Sequence, residues 1–281
     1  MREVRCEDIT REVARLCVEA ACDLPSDVEK ALTDAAAREE SELGQWALDK
    51  ICRNAEVARE QNAPLCQDTG MVVVFAEVGQ EVSIVGGSFE AAINEGVAQG
   101  YTQGYLRKSM VGDPVFNRVN TNDNTPACIH TSIVEGDGLV LTVLPKGAGS
   151  ENMTRLRMLT PAEGVGGVKQ FVVQAVEEAG GNPCPPTIVG VGIGSNAEGA
   201  VLLSKQALRR DVDKVHPQPE YAALEAELLD ALNALGIGPQ GFGGRTTALA
   251  VHIEVAPTHI ATLPVAVTLN CHAARHKQVV L

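Results

Sequence analysis

A thiol and a carboxylate, those of Cys66 and Asp68, stand two positions apart directly before an apolar segment. Thr69-Gly70 is typical of a chain reversal, and residues 71–78 have the β-branched composition of a buried strand. A cysteine in such a loop can be a small buried hydrophobe, a nucleophile or a metal ligand. The carboxylate can be a catalytic acid or can cap its own turn. This pair alone leaves all these alternatives open.

Eight cysteines are spread irregularly over 281 residues, which is too sparse for a disulfide framework. No CxxC or CxxH spacing indicates a local zinc site. Five are predicted to be packing residues: Cys6, Cys17, Cys22, Cys52 and Cys128. The other three each stand in a non-helical segment beside an apolar strand: Cys66, Cys184 and Cys271. Three thiolates are one short of the four that close an iron–sulfur cube, and such a set would leave one iron open as a Lewis acid.

The composition excludes several classes of function. Hydrophobic residues make up 45% and charged residues 21%, which is ordinary for a globular protein. The formal charge is −13, aromatic residues are 3%, and no Lys/Arg-rich run is present, so we expect no nucleic-acid partner. No apolar run is long enough for a membrane span, and the N-terminus lacks a signal-peptide pattern. We therefore expect no membrane partner and a cytoplasmic location.

The order of periodic segments predicts an α+β (mixed α/β) fold, with a helical N-terminal region over residues 1–62 and mixed sheets flanked by helices over 63–281. Helical periodicity covers residues 4–62. Strands at 129–134 and 139–144 bracket the turn Gly136-Asp137-Gly138, which predicts a hairpin.

Two glycine-rich segments invite a ligand. Residues 192–197 fit GxGxxA between a strand and a helix, which fits a dinucleotide site, an anion at the helix N-terminus or a plain turn. Residues 145–152 form a flexible loop that contains Lys146, and its backbone N–H groups could face an anion or form a simple glycine turn.

Six segments in the same order resemble a known family. They are PLCQDTG (64–70), NTNDNTPACIH (120–130), PKGAGSENMTRLRML (145–159), PPTIVGVGIGSNAEGAVLLSKQAL (185–208), GPQGFGGRTTALAVHIEVAPTHIATLPVA (238–266) and NCHAARH (270–276). From about residue 40 to the end, the chain is similar to the α-type catalytic domain of class I fumarate hydratases and L-tartrate dehydratases.

The resemblance implies a set of site residues. Cys66, Cys184 and Cys271 would hold a 4Fe–4S cluster, and Asp68 would be the catalytic acid. Substrate contacts are expected from the side-chain amide next to Asp68 and from the loop at 147–152. They are also expected from an arginine about forty residues after Cys66 and from cations in the matched segments. The candidates are Gln67, Gly149, Ser150, Arg107 (with Arg118 as its alternative), Lys146 and Arg245, with His272 and Arg275 also in matched segments.

The resemblance also implies an activity, which is reversible hydration of a small dicarboxylate. Fumarate to (S)-malate, a tricarboxylic acid cycle reaction, is the first expectation, and an L-tartrate dehydratase is its alternative. A non-catalytic iron–sulfur redox or sensor protein is the alternative of another class. Single-chain members of the family continue into a β-type domain that this chain lacks. We therefore expect residues 1–281 to form an α subunit that works with a separate β subunit as an α2β2 heterotetramer.

Overall fold

The computed structural model describes residues 2–281, and it confirms the mixed α+β class. The helices, in chain order, are α1 (Cys6–Cys22), α2 (Ser26–Arg38), α3 (Glu42–Gln61), α4 (Phe89–Gln103), α5 (Ala148–Glu151), α6 (Gly164–Ala179), α7 (Ala197–Ala207) and α8 (Pro219–Asn233). Short 3₁₀ turns precede α6 (Pro161–Glu163) and β8 (Pro239–Gly241).

The strands are β1 (Arg2–Arg5), β2 (Met71–Gly79), β3 (Val82–Val85), β4 (Cys128–Val134), β5 (Leu139–Lys146), β6 (Arg155–Leu159), β7 (Thr187–Ser195), β8 (Ala248–Thr258), β9 (Leu263–Asn270) and β10 (Lys277–Val280). Three of them, β1, β6 and β10, are short segments that the sequence did not predict. The helical prediction for residues 4–62 is wrong at its start, because Val4 belongs to β1 and pairs in parallel with Ile84 of β3.

The chain divides into two compact units. The first comprises the residues up to Leu24 together with Ala55–Ala148 and Arg275–Leu281. Its main sheet has the order β10-β5-β2-β4, and α1 and α4 pack on one face of it. That face is built from alternate residues of β2, of which Val72, Val74 and Ala76 are buried against the helices.

The predicted hairpin of β4 and β5 is wrong, because β2 lies between them. Phe75 of β2 pairs in parallel with His130 and antiparallel with Thr142. The glycine turn instead wraps around the end of β2, where the Gly79 N–H donates to the Gly138 carbonyl at 2.9 Å. A strand as uniformly apolar as β2 gains most as a central strand, because both of its edges and both of its faces are then buried.

The second unit comprises Pro25–Asn54 and Gly149–Ala274. Its sheet has the order β6-β9-β7-β8, with β7 and β8 parallel. Alternate residues of β7, such as Val189 and Val191, pack with α6 and α8. The α6 region begins with a capping box of Thr160 and Glu163, in which the backbone N–H of Thr160 lowers the pKa of Glu163.

Gly190 and Gly192 of β7, the second of which opens the GxGxxA segment, serve helix packing. A Cβ added to Gly190 would lie 2.1 Å from the Ser204 carbonyl oxygen, and one added to Gly192 would lie 2.0 Å from that of Ala200. Glycine at these positions lets α7 approach β7 backbone to backbone. A Cβ added to Gly194 would lie 2.0 Å from the Ala256 carbonyl oxygen of β8, so both glycines of the motif have a packing reason.

No helix within residues 2–281 has both the length and the apolar composition that a membrane crossing requires.

Candidate active site

The loop that carries Cys66 and Asp68 is fixed on both sides in the first unit. The Leu65 N–H donates to the Ala21 carbonyl at 2.9 Å, which ties the loop to the end of α1. On the other side, the buried Tyr101 hydroxyl donates to the Thr69 carbonyl at 2.6 Å. Burial raises the pKa of Tyr101 above its ordinary value, so the hydroxyl remains a neutral donor. The loop is thus held before any ligand binds.

Both carboxylate oxygens of Asp68 accept backbone hydrogen bonds. Oδ1 accepts from the Gly70 N–H at 3.0 Å, which makes the local turn that the sequence allowed, and Oδ2 accepts from the Ala148 N–H at 2.8 Å. Gly70 has φ +80°, and a Cβ there would lie 2.8 Å from the backbone of Lys146. The absence of a side chain at Gly70 lets the end of β5 approach the loop, and the side chain of Lys146 is buried in the same region.

The side chain of Arg275 donates a hydrogen bond to the backbone of the same loop. It is 2% exposed, and its Nη2 donates to the Asp68 carbonyl at 2.9 Å. Its Nε and Nη1 atoms have no hydrogen-bond partner among the described residues. Burial of a guanidinium group lowers the stability of the folded protein unless its N–H donors have hydrogen-bond partners. The burial of Arg275 therefore costs free energy at this site. The sequence placed Arg275 among the matched cations but gave no sign of its burial.

Arg107 and its alternative, Arg118, have different hydrogen-bond partners. The Thr69 hydroxyl donates to the Arg107 carbonyl at 2.9 Å, so the Arg107 backbone is fixed beside the Asp68 loop and its side chain is exposed. The Arg118 guanidinium instead donates to the Pro114 carbonyl within its own loop. The Arg107 backbone thus adjoins the Asp68 loop, and the choice between the two arginines as substrate ligand stays a prediction.

In the second unit, Cys184 and Cys271 flank the same end of the sheet. Cys184 precedes β7 and Cys271 follows β9, and these antiparallel strands pair with Ile188 opposite Asn270. The Cys184 carbonyl accepts a hydrogen bond from the His272 N–H at 3.3 Å and lies 3.0 Å from His272 Nδ1. The segments that carry Cys184 and Cys271 therefore lie side by side at this end of the sheet.

Backbone strain marks this end of the sheet. Cys184 and Gln240 both have φ +55°, which is unusual for residues with a side chain. Gln240 holds the segment through two hydrogen bonds to the Pro185 carbonyl, from its backbone N at 2.7 Å and from Nε2 at 2.9 Å. Strained residues that the surrounding hydrogen bonds hold in place are typical of functional sites. Sequence reasoning missed Gln240, although it lies in a matched segment.

The remaining candidates of the second unit are placed as follows. Arg245 precedes β8 at the same end of the sheet, and its guanidinium pairs with Glu40 at the surface, 3.3 Å away. Its backbone N–H donates to the buried carboxylate of Glu39 at 3.0 Å. Burial raises the pKa of the Glu39 carboxylate. Hydrogen bonds from the Arg245 N–H and other backbone N–H groups outweigh the effect of burial, so the pKa is lowered overall. Gly149 is exposed and Ser150 is buried in α5.

The thiols differ in what they can bind. Cys184 is exposed, and Cys66 and Cys271 are half-buried, so a cofactor can reach all three. Burial raises the pKa of Cys17 to about 12, which keeps that thiol protonated and unfit as a ligand. Cys6 and Cys22 are also buried, in line with packing roles, whereas Cys52 in α3 and Cys128 are half-buried rather than core residues.

The thiol chemistry of these three residues fits an iron–sulfur cluster, which thiolates bind in proteins. Within residues 2–281, however, no group of three or more His, Cys, Asp or Glu side chains already has the geometry to hold a metal ion. The Cys66 thiol lies 3.4 Å from Gln67 Oε1 and donates to it. Cluster binding would require that this hydrogen bond give way to a thiolate ligand.

Comparison with known proteins gives a family match over nearly the whole chain. The family model described as fumarate hydratase (Fumerase) matches residues 10–280. A protein of Methanocaldococcus jannaschii, provisionally named L(+)-tartrate dehydratase subunit alpha, is 42% identical over 276 residues, covering 95% of this chain and 95% of its own. The L(+)-tartrate dehydratase subunit alpha of Escherichia coli strain K12 is 34% identical over 271 residues, covering 95% of this chain and 88% of its own.

Proposed function

Because the chain belongs to the fumarate hydratase family of hydro-lyases, we propose that it is the α subunit of an iron–sulfur enzyme that removes water from L(+)-tartrate. The observation that carries the proposal is the relation to tartrate dehydratase α subunits, which extends over 95% of the chain. Fumarate hydration, the first expectation from sequence, becomes the second candidate, supported by the description of the family model.

The proposed cofactor is a 4Fe–4S cluster held by Cys66, Cys184 and Cys271. The supporting observations are the accessibility of these thiols and the approach of Cys184 and Cys271 at one end of their sheet. When bound with three protein ligands, such a cluster supplies a Lewis acid that makes a hydroxyl group a better leaving group. A redox or sensor role is the competing function, and a fourth protein ligand to the cluster would favour it.

We assign the role of general acid to Asp68. Its proton would pass to the departing hydroxyl group of the substrate, and a carboxylate would remain. The N–H groups of Gly70 and Ala148 point at the two oxygens of that carboxylate and stabilise the charge that forms. Because these donors belong to the backbone and are fixed in advance, they need not reorganise during the reaction.

A dianionic substrate requires local positive charge on a chain whose formal charge is −13. We propose that Arg107, Lys146 and Arg245 supply it, since arginine and lysine neutralise carboxylates directly. Gln67 and the polar groups of Gly149 and Ser150 would orient the substrate. Arg275 serves a different purpose, because its hydrogen bond holds the Asp68 backbone.

The proposed partner is a β-type subunit, since the relatives carry the name subunit alpha. That subunit would provide the base that takes the carbon-bound proton, and the proposed assembly is α2β2. The chain alone would then bind the cluster and substrate without turning the substrate over, because one side of the reacting carbon would lack its catalytic group.

The test is anaerobic co-expression of this chain with the β-type subunit from the same genome, followed by initial-rate assays. Elimination of water from L(+)-tartrate with a kcat/KM above that for hydration of fumarate would support the proposal. A preference for fumarate would favour the second candidate. A complex that binds iron and turns over neither substrate would refute both and favour the non-catalytic reading.

A further inference from the structure

A short hairpin projects from the first unit between α4 and β4. Its two arms pair through an antiparallel bridge between Val111 and Asn120. The Thr121 N–H donates to the Met110 carbonyl and the Gly112 N–H to the Val119 carbonyl, each at 2.9 Å. We call residues 110–121 the Phe116 hairpin. These hydrogen bonds give the segment a defined conformation without membership of a sheet.

The tip of the Phe116 hairpin is also ordered. One carboxylate oxygen of Asp113 accepts from the N–H groups of Val115 and Phe116, both at 2.7 Å. These two donors lower the pKa of Asp113, so the cap stays ionised at neutral pH. The Arg118 guanidinium closes the tip by donating to the Pro114 carbonyl. The tip is therefore held in shape by its own side chains.

This ordered tip presents apolar side chains to solvent. Phe116 is 93% exposed, Val115 is 67% exposed and Val119 is 61% exposed. The chain contains five phenylalanines in all, so full exposure of one at a fixed tip is conspicuous. Exposed apolar groups clustered on a rigid element mark interaction sites, and aromatic anchors dominate interface energetics.

The base of the hairpin is joined to the catalytic loop. Asn124, which is fully buried, donates to the Gly70 carbonyl at 3.1 Å and accepts from the Ser109 N–H at 2.8 Å. Asn120 donates to the Lys108 carbonyl at 2.9 Å. A protein bound at the hairpin therefore lies next to the Asp68 loop, where the proposed function needs a second polypeptide.

We propose that the Phe116 hairpin is the docking element for the β-type subunit and inserts Phe116 into an apolar pocket of that subunit. This inference rests on the proposed function. The chain has a formal charge of −13, but the segment from Tyr105 to Val119 has more cations than acids. The cations are Arg107, Lys108 and Arg118, and the acid is Asp113. The pocket should therefore have an acidic rim. A different chain is the occupant because the base of the hairpin adjoins the Asp68 loop, where the proposed function needs a second polypeptide.

The test measures the affinity of the isolated chain for the purified β-type subunit under anaerobic conditions, by titration of one labelled subunit. Phe116→Ser should weaken the complex by about 30-fold or more, as expected for an aromatic hot spot. The matched control is Ile260→Ser, in the turn between β8 and β9, because Ile260 is 91% exposed and lies in the other unit. Asp113→Ala, which removes the cap of the tip, should weaken binding by an intermediate factor. Circular dichroism checks that each variant is folded.

The outcomes separate this inference from the proposed function. If the wild-type complex forms and is active, and Phe116→Ser binds as tightly as Ile260→Ser, the docking inference is overturned while the function stands. If Phe116→Ser instead abolishes a dimer of the isolated chain and leaves the heteromeric affinity unchanged, the hairpin joins two copies and the inference is also overturned. If the wild-type subunits do not associate, the inference fails together with the two-subunit proposal.

Discussion

The backbone N–H of Ala148 donates a 2.8 Å hydrogen bond to Oδ2 of Asp68, which lies 80 positions earlier in the chain. This contact joins the glycine-rich segment after β5 to the loop before β2. The sequence indicated these two segments for separate reasons. One has a carboxylate near a thiol, and the other is a loop whose N–H groups could face an anion. One hydrogen bond joins them in the structure. The acceptor that the loop N–H faces in the structure is the side chain of Asp68 itself.

Replacement of Asp68 by asparagine tests its role as the acid. Asp68→Asn keeps the size of the side chain and an oxygen acceptor but has no proton to give, so kcat should fall about 100- to 10,000-fold. KM and iron content should change little. Steady-state assays of the anaerobic αβ complex measure this, with Asp137→Asn in the exposed turn before β5 as the control. Wild-type turnover by Asp68→Asn would remove it from the mechanism.

Tyr101→Phe tests how the Asp68 loop is held in place. Loss of the hydroxyl takes a donor from the Thr69 carbonyl, and the free energy of unfolding should fall by about 1.5 kcal/mol near neutral pH.

The pH dependence of this change has a defined sign. Because burial raises the pKa of Tyr101 above 10.0, the folded protein keeps a proton that the unfolded chain releases as the pH rises past 10. The Tyr101 contribution should be constant below that pH and decline above it. Urea denaturation of both proteins between pH 8 and pH 11 checks this, and a stability difference that grows with pH would contradict it.

Gly192→Ala tests whether packing explains the glycines of β7. The new methyl group would overlap the Ala200 carbonyl, so α7 must move and the protein should lose about 3 kcal/mol of stability. Gly166→Ala in α6 is the matched control, because a Cβ there meets nothing within 4 Å and should stabilise the helix by about 0.5 kcal/mol. If Gly192→Ala is as stable as the wild type, the packing explanation is wrong.

Local sequence signals predicted most of the elements, since apolar periodicity and caps such as the Thr160–Glu163 pair act over a few residues. The pairing of strands was harder. The turn at Gly136 suggested a hairpin, but strand order depends on which strand gains most from a central position, and that is a property of the whole sheet. Short strands such as Lys277–Val280 have too few residues to establish a period.

The same limit applies to the site. Asp68 and the cysteines stand out by residue type and by the segments around them. Tyr101 and Asn124 were not found, because a tyrosine in a helix and an asparagine in a polar loop are common, and their roles follow from burial against Gly70. Arg275 stood out as a cation. Its hydrogen bond to the Asp68 carbonyl could not be predicted, because the two residues are 207 positions apart in the sequence.

The cysteines should divide into two classes on substitution. Cys66→Ser, Cys184→Ser and Cys271→Ser should each abolish the cluster in anaerobically reconstituted protein, because each removes one thiolate ligand. Cys128→Ser, the half-buried control, should retain about four irons per chain. Iron analysis and visible absorption measure this. A full iron complement in any of the first three variants would remove that residue from the ligand set.

If three thiols hold a cluster with one iron open to substrate, brief exposure of the αβ complex to air should attack that iron first. Iron content, electron paramagnetic resonance and activity are followed with and without L(+)-tartrate. We expect early loss of one iron, a three-iron signal and a parallel fall in activity, all slowed by the dicarboxylate, since oxidant and substrate would reach the same open iron. Equal decay with and without L(+)-tartrate, and no three-iron signal, would contradict it.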